Sequence, residues 1–140
     1  QGIKRFSVVE LTQTEPFYMA TIAEYPTNDY DPALLEDENF KATIDSLRDT
    51  AINMIKHSTN IPKEASFALK NIESPFFLLN FIASNLSVNN QEKQNILEMS
   101  DATERAKIVL RLLNKEFQMV ALKRQIQSQS QQEIDKQQKE

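Results

Sequence analysis

Few side chains in this chain can do chemistry, and their spacing says more than their number. His57 is the only histidine and there is no cysteine. A thiolate nucleophile, a disulfide and a zinc–thiolate site are therefore excluded, and the lack of cysteine fits a reducing compartment. A lone imidazole can serve as general acid or base only with a partner, and no second histidine or obvious carboxylate accompanies this one. Its place near the end of a helical pattern suits a polar residue where positive charge is mildly favoured. The acidic run Glu36-Asp37-Glu38 has the residue types of a metal site. The positive end of a helix dipole attracts the same run, so it reads as a helix start without a metal.

Ser46, Ser58 and Ser66 with the lysines hold the raw material of a Ser–Lys dyad. No glycine or strained turn presents any of them as a nucleophile. Lys107, Arg111, Lys115, Lys123 and Arg124 could meet a nucleic acid, but Glu104, Glu116, Glu133 and Asp135 interleave with them. That mixture marks a solvated helix surface, and nucleic acid is not an expected partner. The single glycine is Gly2. A phosphate-cradling loop needs several glycines so that backbone N–H groups can approach the anion. Any ATP used by a larger parent is bound outside these residues. No catalytic, cofactor-binding or metal-ligating residue is assigned.

What remains is apolar surface. "PFFLLNFIA", residues 75–83, is far short of the ~18 apolar residues that span a bilayer. No membrane partner is expected, and no signal peptide is visible. Phe76, Phe77, Leu78, Leu79, Phe81 and Ile82 should dominate the core, each contributing roughly 1.5–3 kcal/mol when buried. A helix this short hides its whole circumference only if it is central. An uncovered side would form a patch that binds unfolded polypeptide or a partner helix, which makes Phe76, Phe77 and Phe81 candidate contacts. Met119, Leu122 and Ile126 form a second candidate set, on a helix whose far end is dominated by Gln, Lys and Glu.

The elements that must position these residues follow from periodicity. "IKRFSVVEL" and "PFYMATIAEY" alternate as two strands joined by "TQTE". A two-stranded hairpin is marginal alone and needs a covering layer, either the following helices or further strands, and the second is favoured. "PTNDYDP" marks the switch to helix. Phe40, Ile44, Leu47, Ala51, Met54 and Ile55 give one buried stripe over about 37–57. Pro62 ends this region and opens a short helix with Ala65, Leu69 and Ile72 inward. Ser74-Pro75 caps the next helix. Asn89 with Glu92, and Asp101 with Glu104, have capping-box spacing. From Asp101 onward no stop signal appears, so one helix of about 60 Å at ~1.5 Å per residue is expected, too long for a small domain's body. Val109, Leu113, Phe117 and Val120 line its packed half. Beyond about Ile126 it should be ordered only by another chain.

With 140 residues and a net charge of −4, the chain suits one domain with an appendage. It starts at Gln1, as an excised or processed piece would.

A series of residues carries a resemblance: Ile61-Pro62 with Glu64; Ser74-Pro75 with Leu78 and Ile82-Ala83; Lys93-Gln94, Leu97-Glu98, Asp101 and Arg105; then Leu113 and Glu116. It resembles the N-terminal region of Lon-type ATP-dependent proteases, from the hairpin to the last residue. The family often has Asp where Ser74 stands, which preserves capping, and leucine where Ala106 stands, which weakens one packing contact. The resemblance implies a mainly α fold in which a hairpin, the remnant of a β-rich lobe, leads into a helical bundle ending in one long projecting helix. Residues 1–30 would be the last strands of the LON β-lobe, 31–126 the bundle, and 127–140 an extension towards the ATPase module. It further implies a hexameric parent that uses ATP and Mg and carries a Ser–Lys protease site elsewhere. This piece would capture unfolded or damaged proteins and help assemble the hexamer. Bacterial cytoplasm is the implied compartment, with the mitochondrial matrix as the alternative. The competing reading is a non-enzymatic LON-like scaffold that dimerises through Leu112, Met119, Leu122 and Ile126 of the long helix.

Overall fold

The computed structural model describes residues 4–58 and 60–139. Strand β1 (Phe6–Gln13) pairs antiparallel with β2 (Met19–Glu24). Val8 lies opposite Ile22 and Leu11 opposite Ala20, and the register slips after Val8 and again after Leu11. These bulges twist the ribbon and interrupt strict alternation. Large apolar groups stay exposed on it, among them Phe6, Val8, Val9, Leu11 and Ile22. The helices therefore do not provide the covering layer that the pattern calls for.

Among the described residues six helices follow: α1 (Pro32–Glu36), α2 (Glu38–His57), α3 (Glu64–Asn71), α4 (Pro75–Asn85), α5 (Asn90–Glu98) and α6 (Ala102–Lys139). Their starts are set by side chains that accept otherwise orphaned backbone N–H groups. Asp37 accepts from Phe40 N at 3.0 Å, Ser74 from Phe77 N at 3.2 Å and Asn89 from Glu92 N at 2.8 Å. The acidic run at 36–38 thus caps a helix. Asp37 is the N-cap of α2 and Glu36 pairs with Lys41 at 3.9 Å. Helix α1, which opens on the last residue of the turn stretch "PTNDYDP", was not anticipated, because five residues show no period.

The core lies between α2 and the first half of α6, closed by α3 and α4. Phe40, Ile44, Leu47, Ala51 and Ile55 of α2 face Ala102, Ala106, Val109 and Leu113 of α6. Small residues at Ala51, Ala102 and Ala106 let the backbones approach. Ala106 is fully buried, so the site is packed by proximity rather than by a longer side chain. Phe76, Leu78, Leu79 and Ile82 of α4 fill the centre, with Phe76 stacked on Phe40 at 5.5 Å between ring centroids. Phe77 and Phe81 depart from the core expectation, at 43% and 42% exposed. They sit four residues apart on one side of α4.

Helix α6 runs unbroken for 38 residues, about 57 Å at ~1.5 Å per residue. Phe117 and Val120 are half-buried, and every side chain from Ala121 through Gln138 is exposed. No helix among the described residues is long and apolar enough to cross a membrane.

Candidate functional site: an aromatic groove at an ionic joint

The hairpin meets the bundle at its base, and the contact uses polar groups that helix ends leave unpaired. Arg5 precedes β1 and Tyr25 follows β2, and Tyr25 N donates to Arg5 O at 3.2 Å. The Arg5 guanidinium lies 5.4 Å from the centre of the Tyr25 ring. The last carbonyls of α5 have no partner within the helix. Arg5 Nη1 donates to Leu97 O at 3.0 Å and also to Met99 O, and the Tyr25 hydroxyl donates to Glu98 O. Thr27 Oγ1 donates to Ser100 O at 3.2 Å. The hairpin base thereby caps the C-terminus of α5.

The start of α6 is held from the same side. Asn28 Nδ2 donates to Asp101 Oδ1 at 2.7 Å, while Asn28 Oδ1 accepts from Ala102 N at 2.7 Å. Asp101 also accepts from Thr103 N at 3.3 Å. The Asp101–Glu104 spacing does mark a helix start, but Asn28 supplies the second cap, and Glu104 lies 3.7 Å from Lys107 Nζ instead.

Asp29 ties these pieces together. Its two carboxylate oxygens accept from Arg105 Nη2 at 2.7 and 2.9 Å, and Arg5 Nη2 lies 3.6 Å away. Arg105, on the packed face of α6, is 2% exposed and also donates to Met99 O at 3.1 Å. Its Nε is the one buried side-chain polar atom without a partner among the described residues. Burial, and then the nearby Arg105 charge, lower the Arg5 pKa from its usual value, with Asp29 and Tyr25 opposing. Two cations thus share one buried carboxylate.

Beside this joint lies a groove of about 910 Å³ between the hairpin base, α4 and α5. Its apolar wall comprises Tyr30, Phe77, Phe81 and Leu97, all exposed. Phe77 and Phe81 stack with centroids 6.3 Å apart. Tyr30 adopts φ 66°, a left-handed conformation that costs a non-glycine residue roughly 1–2 kcal/mol. The resulting reversal lays its ring 4.8 Å from that of Phe76, which offsets the cost by aromatic packing.

Of the six candidate contacts, Phe77 and Phe81 line this groove. Phe76 does not: it is buried beneath Tyr30 and serves the core. Met119, Leu122 and Ile126 are about half exposed on α6 and do not line the groove. Sequence reasoning missed Arg5, Tyr25, Asn28 and Asp29 altogether, and Arg105 entered only through a resemblance. One signal was present. Ala102, Arg105, Ala106 and Val109 share a helical face, and a charge in that position must be paired within the fold.

The other residues with chemical promise are not assembled into a site. His57 Nδ1 meets the Asn53 carbonyl at 2.8 Å and the ring packs edge-on to Phe117. Ser66 Oγ donates to Lys63 O at 2.7 Å. No group of three or more His, Asp or Glu among the described residues has the geometry to hold a metal ion.

The chain is thus a hairpin clamped to a helical bundle, with an open aromatic groove at the clamp and a long helical arm. The family model for the ATP-dependent protease La (LON) substrate-binding domain matches residues 1–115, and the chain belongs to that family. It is 44% identical over 140 residues to the Lon protease of Flavobacterium johnsoniae. It is 37% identical to the Lon protease of Cytophaga hutchinsonii and 40% to that of Karelsulcia muelleri, each over 140 residues. All three alignments cover the whole of this chain, but only 16–17% of the relative.

Proposed function

We propose that the groove beside the Arg5–Asp29–Arg105 joint receives segments of unfolded or damaged polypeptide, on behalf of a parent Lon-type serine protease driven by ATP and Mg. Phe77 and Phe81 carry this reading. They are large apolar side chains left open on the helix that fills the centre of the core, in a concave surface beside the ionic joint. Residues 1–30 belong in this proposal to a larger β-rich lobe that covers the hairpin's apolar faces. Residues 31–126 form the bundle, and 127–140 lead towards the ATPase module. The protease works in the bacterial cytoplasm, and the domain helps set the geometry of its hexamer. The test is binding of the 140-residue chain to one protein in unfolded and native forms. Preference for the unfolded form, lost in Phe77→Ser, Phe81→Ser, supports the reading; equal or absent binding to both forms removes it.

A second reading has its own observation. Met119, Leu122 and Ile126 are spaced three and four residues apart and exposed, as a helix-pairing seam requires. In this reading the chain is an interaction scaffold whose α6 dimerises. Analytical ultracentrifugation of the wild type and of Met119→Glu, Leu122→Glu separates the cases, and a monomer in both forms removes self-association through this seam.

A further inference from the structure

The groove's lining combines apolar and cationic side chains, and the cations bear on which segments it takes. The same lining holds Arg5, Lys93 and Arg105, with Asp29 as their only acidic neighbour there apart from Glu24. Glu24 is occupied by Lys4 at 3.2 Å. Counting these six charges, the groove carries an excess of two positive charges in a chain whose net charge is −4. Lys93 has no carboxylate partner among the described ion pairs. Its Nζ donates to Ser84 O at 3.2 Å, at the end of α4 and one turn beyond Phe81. A cation with a neutral partner is thus held at the Ser84 carbonyl, three residues and about 4.5 Å of helix axis beyond Phe81.

Resting on the groove as a binding site, we propose that it selects unfolded segments in which an Asp or Glu stands about two residues from a large apolar side chain. The apolar group would lie against Phe77 and Phe81 while the carboxylate meets Lys93. Two residues of extended chain span about 6–7 Å, which matches one helical turn. The argument is charge complementarity. The chain as a whole repels acidic peptides, so attraction to a carboxylate must come from this local excess.

The experiment measures binding of the 140-residue chain to fluorescent peptides that are identical except for Glu, Gln or Lys two residues from a Phe-Leu pair. The peptides carry amidated C-termini, and a further Gln peptide with a free C-terminus asks whether a terminal carboxylate can substitute. The expected order is Glu, then Gln, then Lys, with the Glu peptide about threefold tighter than the amidated Gln peptide at low salt. That ratio should shrink as salt rises, and should fall to about one in Lys93→Gln. Thermal unfolding of the variant confirms that it folds, and Lys93→Arg should restore the ratio. Equal affinity for the amidated Glu and Gln peptides, a salt-independent ratio, or a ratio unchanged in Lys93→Gln overturns the charge selection and leaves the groove standing. A free terminus that matches Glu also overturns the side-chain assignment. Binding of no peptide, or binding indifferent to Phe81→Ser, overturns the groove as well.

Discussion

Replacing Asp29 by asparagine keeps the size of the side chain and removes the only negative charge that Arg5 and Arg105 share. Asp29 and Arg105 side chains are 10% and 3% exposed, so the pair is well shielded from water. Removing one partner of a buried pair costs about 3–5 kcal/mol, because the remaining charge is left without compensation. Asparagine retains one oxygen for Arg105, and Arg5 is open enough to turn outward, so the low end applies, about 3 kcal/mol. For a chain of this size that corresponds to a fall in Tm of about 10 °C. Urea unfolding followed by circular dichroism at the helical band gives the loss directly, with an unchanged slope expected if the unfolded state is unaffected. The double variant Asp29→Leu, Arg105→Met removes both charges and should recover part of the loss, since an apolar pair of similar volume can replace a buried ion pair. A loss below about 1 kcal/mol for Asp29→Asn, the range of an exposed pair, would refute the argument that the joint is desolvated.

Three further outcomes follow from the packing. Leu79→Ala, in the middle of α4, should cost about 2–5 kcal/mol in the same unfolding experiment, since Leu79 is fully buried. Ser74→Ala removes the cap on Phe77 N and should cost about 1 kcal/mol, with Ser74→Asp restoring it. Amide exchange along α6 should be slow through about Val120 and orders of magnitude faster beyond Ile126, where no side chain packs on the bundle. Uniform protection to the end would indicate a partner for the arm.

The helices were legible in the sequence because their signals are local. A stripe at i, i+4 and i+7 marks α2, and Ser74-Pro75 and Asn89 mark the starts of α4 and α5 by chemistry that needs no tertiary context. The length of α6 was legible from the lack of any breaker. The joint was not, because the bonds that tie the hairpin base to the helices cross 73 to 94 residues of sequence. "PTNDYDP" carries turn residues whatever they later bind, so Asn28 and Asp29 looked like punctuation rather than structure. The exposure of Phe77 and Phe81 depends on which side of α4 the neighbours leave bare. The apolar run made most of the helix look buried, and it named Phe77 and Phe81, together with Phe76, only under the alternative of an uncovered side. The bulges in β1 are likewise set by pairing with β2, and an alternating strand pattern contains no trace of them.

The measurement that bears most directly on the groove is a map of backbone amide shifts in the 140-residue chain as an unfolded protein is titrated in. The largest changes should cluster at Tyr30, Phe77, Phe81 and Leu97, and spread to Arg5 and Lys93 in the same lining. Shifts confined to the strands of the hairpin or to α6 beyond Val120, with those six positions unmoved, would contradict it.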